Sequence, residues 1–143
     1  MTFFLACIPP KTSHHAKRIV RVGRFSRLAD TPKLVDAKAT LDALLLAHQP
    51  AEALAGPVAL TLEFAWPWLA SHPRKVRALG WVPHTSKPDC DNLAKTLTDR
   101  LVALRFIEDD ARVCALTVLK GWSHAPGITV RIEPAATAAH LGA

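Results

Sequence analysis

The sequence predicts a small single domain that mixes strands with helices, and three observations carry that expectation. Its 143 residues are half hydrophobic, which matches one domain with a real core. Val58, Leu60, Leu62 and Phe64 alternate with Ala59, Thr61, Glu63 and Ala65, the period of a strand with one face toward a core. Leu93, Leu97, Leu101 and Leu104 recur at helical spacing on one side of a wheel.

The elements follow in order. "TFFLACIPP" reads as a short strand ended by Pro9 and Pro10. "KTSHHAKRIVRVGRFSRLADTP" is polar and basic, and predicts an extended loop with at most a short strand at "RIVRV". Thr31-Pro32 fits a helix start with proline in the first turn. Leu34, Ala37, Leu41, Leu44, Leu45 and His48 continue it to about His48. After the strand at 58–65 comes "PWLASHPRKVRALGWVPHTSKP", with four prolines and four bases, which predicts a mobile, basic loop that could hold a turn of helix at "HPRKVRAL". The leucine-striped helix is next, and "FIEDDA" breaks its pattern. "RVCALTVLKGW" and "GITVRIE" read as closing strands joined by a turn around His124, Pro126 and Gly127. One domain over 1–143 is expected, with a frayed tail from about 134.

Composition narrows the function classes. No run of about 18 apolar residues appears, so no membrane span is expected. The start lacks a basic n-region and a cleavage pattern, so the cytoplasm is the expected location. Cys7, Cys90 and Cys114 are odd in number and form no Cys-x-x-Cys pair, which predicts reduced, mostly buried thiols. The net charge is +6, unevenly spread. Met1 to Ala29 holds no acid and six bases: Lys11, Lys17, Arg18, Arg21, Arg24 and Arg27. Phe64 to Pro88 holds no acid, with Arg74, Lys75, Arg77 and Lys87. Such stretches favour a polyanion, with a solvated surface as the plain alternative.

The acids gather elsewhere. In "KPDCDNLAKTLTDRL", Asp89 and Asp91 lie two apart at a helix entrance. Asp91, Lys95 and Asp99 form a charged stripe separate from the leucines. Asp109 and Asp110 lie between that helix and the next strand. Each has a plain reading: a helix cap, an i, i+4 surface ladder, turn residues. Together they have a sharper one, provided the chain turns back along a helix of roughly 20 Å. Asp89, Asp91 and Asp110 would then surround one point. Carboxylates without histidine or thiolate suit Mg²⁺ or Mn²⁺. An acidic metal site in a basic protein suits phosphodiester hydrolysis.

"PDCDNLAKTLTDRL…FIEDDARV" resembles the signature of the RusA-type Holliday-junction resolvases of bacteria and their phages. That family carries Asp-x-Asp-Asn-Leu-x-Lys, an Asp four residues after the Lys, then Asp-Asp-x-x-Val/Ile. Asp89, Asp91, Asn92, Leu93, Lys95, Asp99, Asp109, Asp110 and Val113 fall on it without a gap. Arg100 departs from the family's usual small residue, and the loop from Pro67 to Lys87 is longer than its minimum. The resemblance implies a mixed sheet flanked by two main helices, working as a homodimer. It also implies a Mg²⁺-dependent endonuclease (Mn²⁺ able to substitute) that cuts four-way DNA junctions in recombination and repair. Asp89, Asp91 and Asp110 would bind metal and Lys95 would be the catalytic lysine. Asn92, Asp99 and Asp109 would support them from behind. Lys17, Arg18, Arg21, Arg24, Arg74, Lys75, Arg77 and Lys87 are the candidate DNA contacts.

Other readings stay open at this level. His14 and His15 could approach a phosphate. Trp66, Trp68, Trp81 and Trp122 could stack on bases or pack the core or a dimer interface. Cys90, on a strand, would point away from its neighbouring acids. A catalytically weak junction-binding protein and a different metal-dependent phosphohydrolase are the alternative functions.

Overall fold

The computed structural model describes residues 1–11 and 16–136. Its main sheet has five strands in the order β1 (Thr2–Leu5), β7 (Gly127–Pro134), β4 (Val58–Pro67), β6 (Val113–Ser123) and β5 (Trp81–Pro83). β4 and β6 run parallel and the other pairs antiparallel. The closing strands β6 and β7 are consecutive in sequence, yet β4 lies between them.

Two helices cover one face of this sheet. α1 (Pro32–Leu46) starts at Thr31, whose Oγ1 accepts from the Leu34 amide at 3.3 Å, and Pro32 occupies its first turn as expected. It buries Leu34, Ala37, Leu41 and Leu45. α3 (Cys90–Ala103) buries Leu93, Leu97 and Leu101, and the short helix α2 (Arg74–Arg77) precedes it. The register aligns Leu60 with Ile132, Leu62 with Val130 and Phe64 with Ile128, so these side chains share the helix-covered face. With Phe3 and Leu5 they form one core.

The two helices are also joined by charge. Arg100 reaches Asp42 on α1 with two hydrogen bonds, 2.7 and 3.1 Å, in a half-buried setting. That fork gives Arg100, the departure noted in the sequence, a defined task.

Two readings of irregular segments are corrected. The short strand at "RIVRV" is present as β2 (Lys17–Val22), but the residues after it are not loop: β3 (Phe25–Asp30) pairs with β2 residue by residue as a hairpin. Its apolar residues stay exposed, so it lacks the one-sided burial that marks a strand in sequence. The segment 67–88 is not loose either. The turn of helix at "HPRKVRAL" is there as α2, but β5 is added and the side chains are tied down. The Trp68 indole N–H donates to His124 Nδ1 at 3.0 Å. Arg77 donates to the carbonyls of His72 and Leu69 at 3.0 and 2.8 Å. The Trp81 indole lies so close over Gly121 that a Cβ there would run into it. The thiols differ from expectation as well: Cys7 and Cys90 are half-buried, and Cys114 is exposed. At the far end, Pro134 closes β7 and the Ala135 amide donates to Pro57 O at 2.9 Å; the remainder of the expected frayed tail, 137–143, lies outside the described residues.

α3 ends in a tight reversal. The Phe106 amide donates to Leu101 O at 2.9 Å and the Arg105 amide to Val102 O at 3.1 Å. This pair of bonds requires a left-handed residue between helix and exit. Arg105 takes it, at φ 64°. Glycine adopts that conformation without the Cβ penalty. Arg105→Gly is therefore expected to raise stability by about 1 kcal/mol. Urea unfolding of both proteins checks this, and a lower midpoint in the variant would contradict it.

Candidate functional site

α3 delivers the acids because its leucine stripe faces the sheet and its charged stripe must face away. Lys95 stands between two carboxylates there. Its ammonium donates to Asp99 at 2.8 Å, one turn along the helix, and to Asp110 at 3.3 Å, fifteen residues away in sequence. Asp110 opens the 3₁₀ turn Asp110–Arg112 that leads into β6. Asp109 caps this turn by accepting from the Ala111 amide at 2.8 Å, which fixes where Asp110 points. Asp99 first, and Asp110 second, hold the Lys95 ammonium's pKa above its ordinary value. Asp109 and the Lys95 ammonium in turn hold the Asp110 carboxyl below the usual carboxylate range. The lysine is therefore a cation and Asp110 an anion at neutral pH.

These groups open onto a hollow of about 300 Å³ lined by Asp91, Ala94, Lys95, Thr98, Asp110, Val113 and Leu116. Asp91 and Asp110 enter it from different elements, with Leu116 as an exposed apolar wall. A hollow of about 520 Å³ elsewhere is lined largely by apolar residues, among them Met1, Leu54 and Phe106, and has a single acid, Glu52.

The expected site residues are thus only partly united. Asp91, Lys95 and Asp110 share the hollow, and Asp99 backs the lysine. Asp89 does not line it. It sits at the N-cap of α3, yet its side chain makes no capping bond and lies 3.4 Å from Lys87. Its carboxylate is accordingly not spent on the helix, against the plain capping reading. Among the described residues, no three His, Cys, Asp or Glu side chains stand together as a ready ligand set for a metal. The donors present are all carboxylates, which is the chemistry that a hard divalent cation requires. Asn92 is half-buried in the first turn of α3. Cys90 is the first residue of that helix and not part of a strand.

The basic candidates fall on two projections. Lys17, Arg18, Arg21 and Arg24 lie on the β2–β3 hairpin or its turn, with Lys17 paired to Asp30. Arg74 and Lys75 are exposed on α2, whereas Arg77 is half-buried and bound to its own loop. Lys87 is exposed before Asp89. His14 and His15 lie outside the described residues. The tryptophans have packing partners. Trp66 is buried and donates to Pro9 O at 2.9 Å, and Trp122 stacks on His84 at 4.1 Å.

Two residues that the sequence did not single out hold the approach to Asp89. The Lys120 ammonium donates to the carbonyls of Ser86 and Pro88, the latter at 2.7 Å. His84 is buried between Trp122 and Trp66, and its Nδ1 accepts from the Ser86 amide at 3.3 Å. Both contacts join residues far apart or hidden in a loop, so no local pattern announces them. The one available signal was Lys120, the single charged residue on a mostly apolar strand.

A family model described as endodeoxyribonuclease RusA matches residues 8–133, nearly the whole chain. No curated protein gives a significant match.

The loop contact has a pH signature. His84 accepts at Nδ1, so its proton sits on Nε2, which is buried without a partner. Burial first, then the charges of Lys120 and Lys11, push its pKa below the ordinary value. An unfolded histidine titrates near 6.5. The stabilisation is therefore complete above about pH 6.5 and is lost as pH falls toward the folded value. Denaturation midpoints should fall between pH 7 and pH 5, and fall less in His84→Phe, which keeps the stacking ring. Equal falls in the two proteins would remove His84 from the effect.

Proposed function

The chain belongs to the RusA endodeoxyribonuclease family, and from that premise we propose that it resolves four-way DNA junctions by paired, metal-dependent phosphodiester hydrolysis in recombination and repair. The observation that carries this reading is the hollow in which Asp91, Lys95 and Asp110 meet. Asp91 and Asp110, joined by Asp89 from the N-cap of α3, would hold Mg²⁺, or Mn²⁺ in its place. Bound there, a divalent ion supplies an activated water and charge neutralisation at the leaving oxygen. The chain's own residues do the rest. Lys95 is held as a cation by Asp99 and Asp110 and lines the hollow. It can donate to a phosphate oxygen as negative charge builds there. Asp109 sets the turn that aims Asp110, and Lys120 fixes the segment that delivers Asp89. Asn92 and Asp99 act by orienting these groups.

Substrate binding belongs to the bases. Arg18, Arg21 and Arg24 on the hairpin, Arg74 and Lys75 on α2, and Lys87 are available for phosphates, while Lys17 and Arg77 chiefly hold their own segments. No helix of the described residues is long and apolar enough to cross a membrane. A bacterial or phage-infected cytoplasm is where junction DNA would be met.

Asp89→Asn, Asp91→Asn and Asp110→Asn are each expected to lower cleavage of a labelled four-way junction in Mg²⁺ by at least about a hundredfold. Junction binding should survive, since removing an acid also relieves repulsion of phosphates. Near-normal turnover in any one variant would remove that residue from the metal set. Junction binding by wild type with no cutting in Mg²⁺ or Mn²⁺ would favour the inactive binding protein instead.

Two opposed cuts require two sites, so the active species should be a two-fold homodimer. Sedimentation equilibrium at micromolar protein should return twice the chain mass. A monomer that stays unpaired with junction DNA added would leave at most a nicking enzyme.

A further inference from the structure

The β2–β3 hairpin pairs only with itself and forms its own two-stranded sheet. Such a hairpin is marginal in water unless something else supports it. Its base is secured. Asp30 accepts from Lys17 and, at 2.6 Å, from Lys38 on α1. The Thr31 amide donates to Ala16 O at 3.1 Å. Beyond that base the two strands are exposed, with only Val20 and Ala29 half-buried.

What it exposes is specific. Ile19 is 75% exposed, Leu28 71%, Phe25 77% and Val22 54%. The register sets Ile19 opposite Leu28 and Val22 opposite Phe25. Side chains alternate along a strand, so the two pairs lie on opposite faces. Val22 and Phe25 flank the turn made by Gly23, at φ 61°, and Arg24. The apolar tip thus stands beside a run of bases: residues 17–30 hold Lys17, Arg18, Arg21, Arg24 and Arg27 against a single acid, Asp30. Six residues per strand make an arm of about 20 Å, longer than the roughly 12 Å width of a DNA major groove.

Charge selects the occupant. A second copy of this chain carries net charge +6 and would repel a basic arm. DNA attracts it. Arginines alone would bind any DNA, but an exposed phenylalanine at the tip adds a flat apolar surface. Within a continuous duplex, inserting it means unstacking a base step, which costs a few kcal/mol. At a branch point the stack is already interrupted, so a base face is available at lower cost.

We propose that the hairpin is a DNA-gripping arm whose tip residue Phe25, backed by Val22, stacks against bases at the branch point and so favours branched over linear DNA. This rests on the reading of the protein as a branched-DNA endonuclease, and extends it from cutting to recognition.

The test uses the full chain carrying Asp110→Asn, which prevents cutting. The probes are a four-way junction with 2-aminopurine at its centre and a linear duplex of the same sequence. Stacking quenches 2-aminopurine, so seating Phe25 on the unstacked probe base should lower its fluorescence. Phe25→Ala should abolish that fall and cut the junction-over-duplex preference about tenfold, within the range that one aromatic–base stack supplies. Phe25→Trp should retain both. Arg21→Ala with Arg24→Ala should weaken binding to both DNAs, flatten the salt dependence and leave the preference intact. An unchanged preference and signal in Phe25→Ala would overturn the proposal. So would a shift of Phe25→Ala from dimer to monomer in sedimentation, which would assign the tip to a second copy of the chain. If the parent protein binds neither DNA, the endonuclease reading itself falls and the arm's role falls with it.

Discussion

The seating of α3 on the sheet is the constraint from which the site follows. Leu93, Leu97 and Leu101 are buried against the face made by β4 and β7. Full burial of such side chains contributes roughly 1.5–3 kcal/mol each. That burial leaves the helix no freedom to rotate about its axis. Asp91, Lys95 and Asp99 occupy another side of the same helix, so they must emerge elsewhere. They emerge beside the start of β6, because β6 lies next to β4 in the sheet. The meeting of Lys95 with Asp110 is a product of core packing, and the ion pairs among exposed groups are too weak in water to create it.

Charge is then partitioned over the scaffold. Asp91 and Asp110 share one hollow, and many of the bases are carried on the hairpin, on α2 and on the segment before α3. The region 67–88 is fixed by aromatic and histidine contacts: Trp68 to His124, His72 against Trp122, and His84 between Trp66 and Trp122. Each of these imidazoles accepts a hydrogen bond at Nδ1, from the Trp68 indole, the Leu69 amide or the Ser86 amide. Lys120 adds the remaining tie, bonding two carbonyls of the segment that enters α3.

Much of this was legible in the sequence, and the parts that were not share a physical cause. The leucine periods of α1 and α3, the alternation of β4 and the proline at the start of α1 are local patterns, and the structure follows them closely. The stripe Asp91, Lys95, Asp99 was equally visible, since helical spacing alone sets it on one side. The position of Asp110 was not, because it depends on β6 returning next to β4. The insertion of β4 between β6 and β7 is likewise non-local. The hairpin escaped because strands are recognised by burying alternate residues, and Ile19, Val22, Phe25 and Leu28 bury little. The ordered loop escaped because its ties reach 56 residues, from Trp68 to His124, and 34, from Lys120 to Ser86. Asp89 stands at the helix N-cap and not in the hollow, a distinction of one side-chain direction that residue spacing does not encode.

Arg100 shows how a departure from the family pattern can leave the Lys95–Asp99 contact intact. It directly follows Asp99, and a free guanidinium there would compete with Lys95 for that carboxylate. Asp99 would then hold the lysine less firmly, and a second cation would stand close to the hollow. Instead the guanidinium is drawn to Asp42, where two bonds at 2.7 and 3.1 Å match its fork. The pair is half-buried between the helices, so neither partner swings easily into solvent. Successive helix residues differ by about 100° in direction, which separates the two side chains at the outset. Asp42 then turns a charge that would disturb the site into a brace between α1 and α3. Lys95 remains the one cation among the residues that line the hollow.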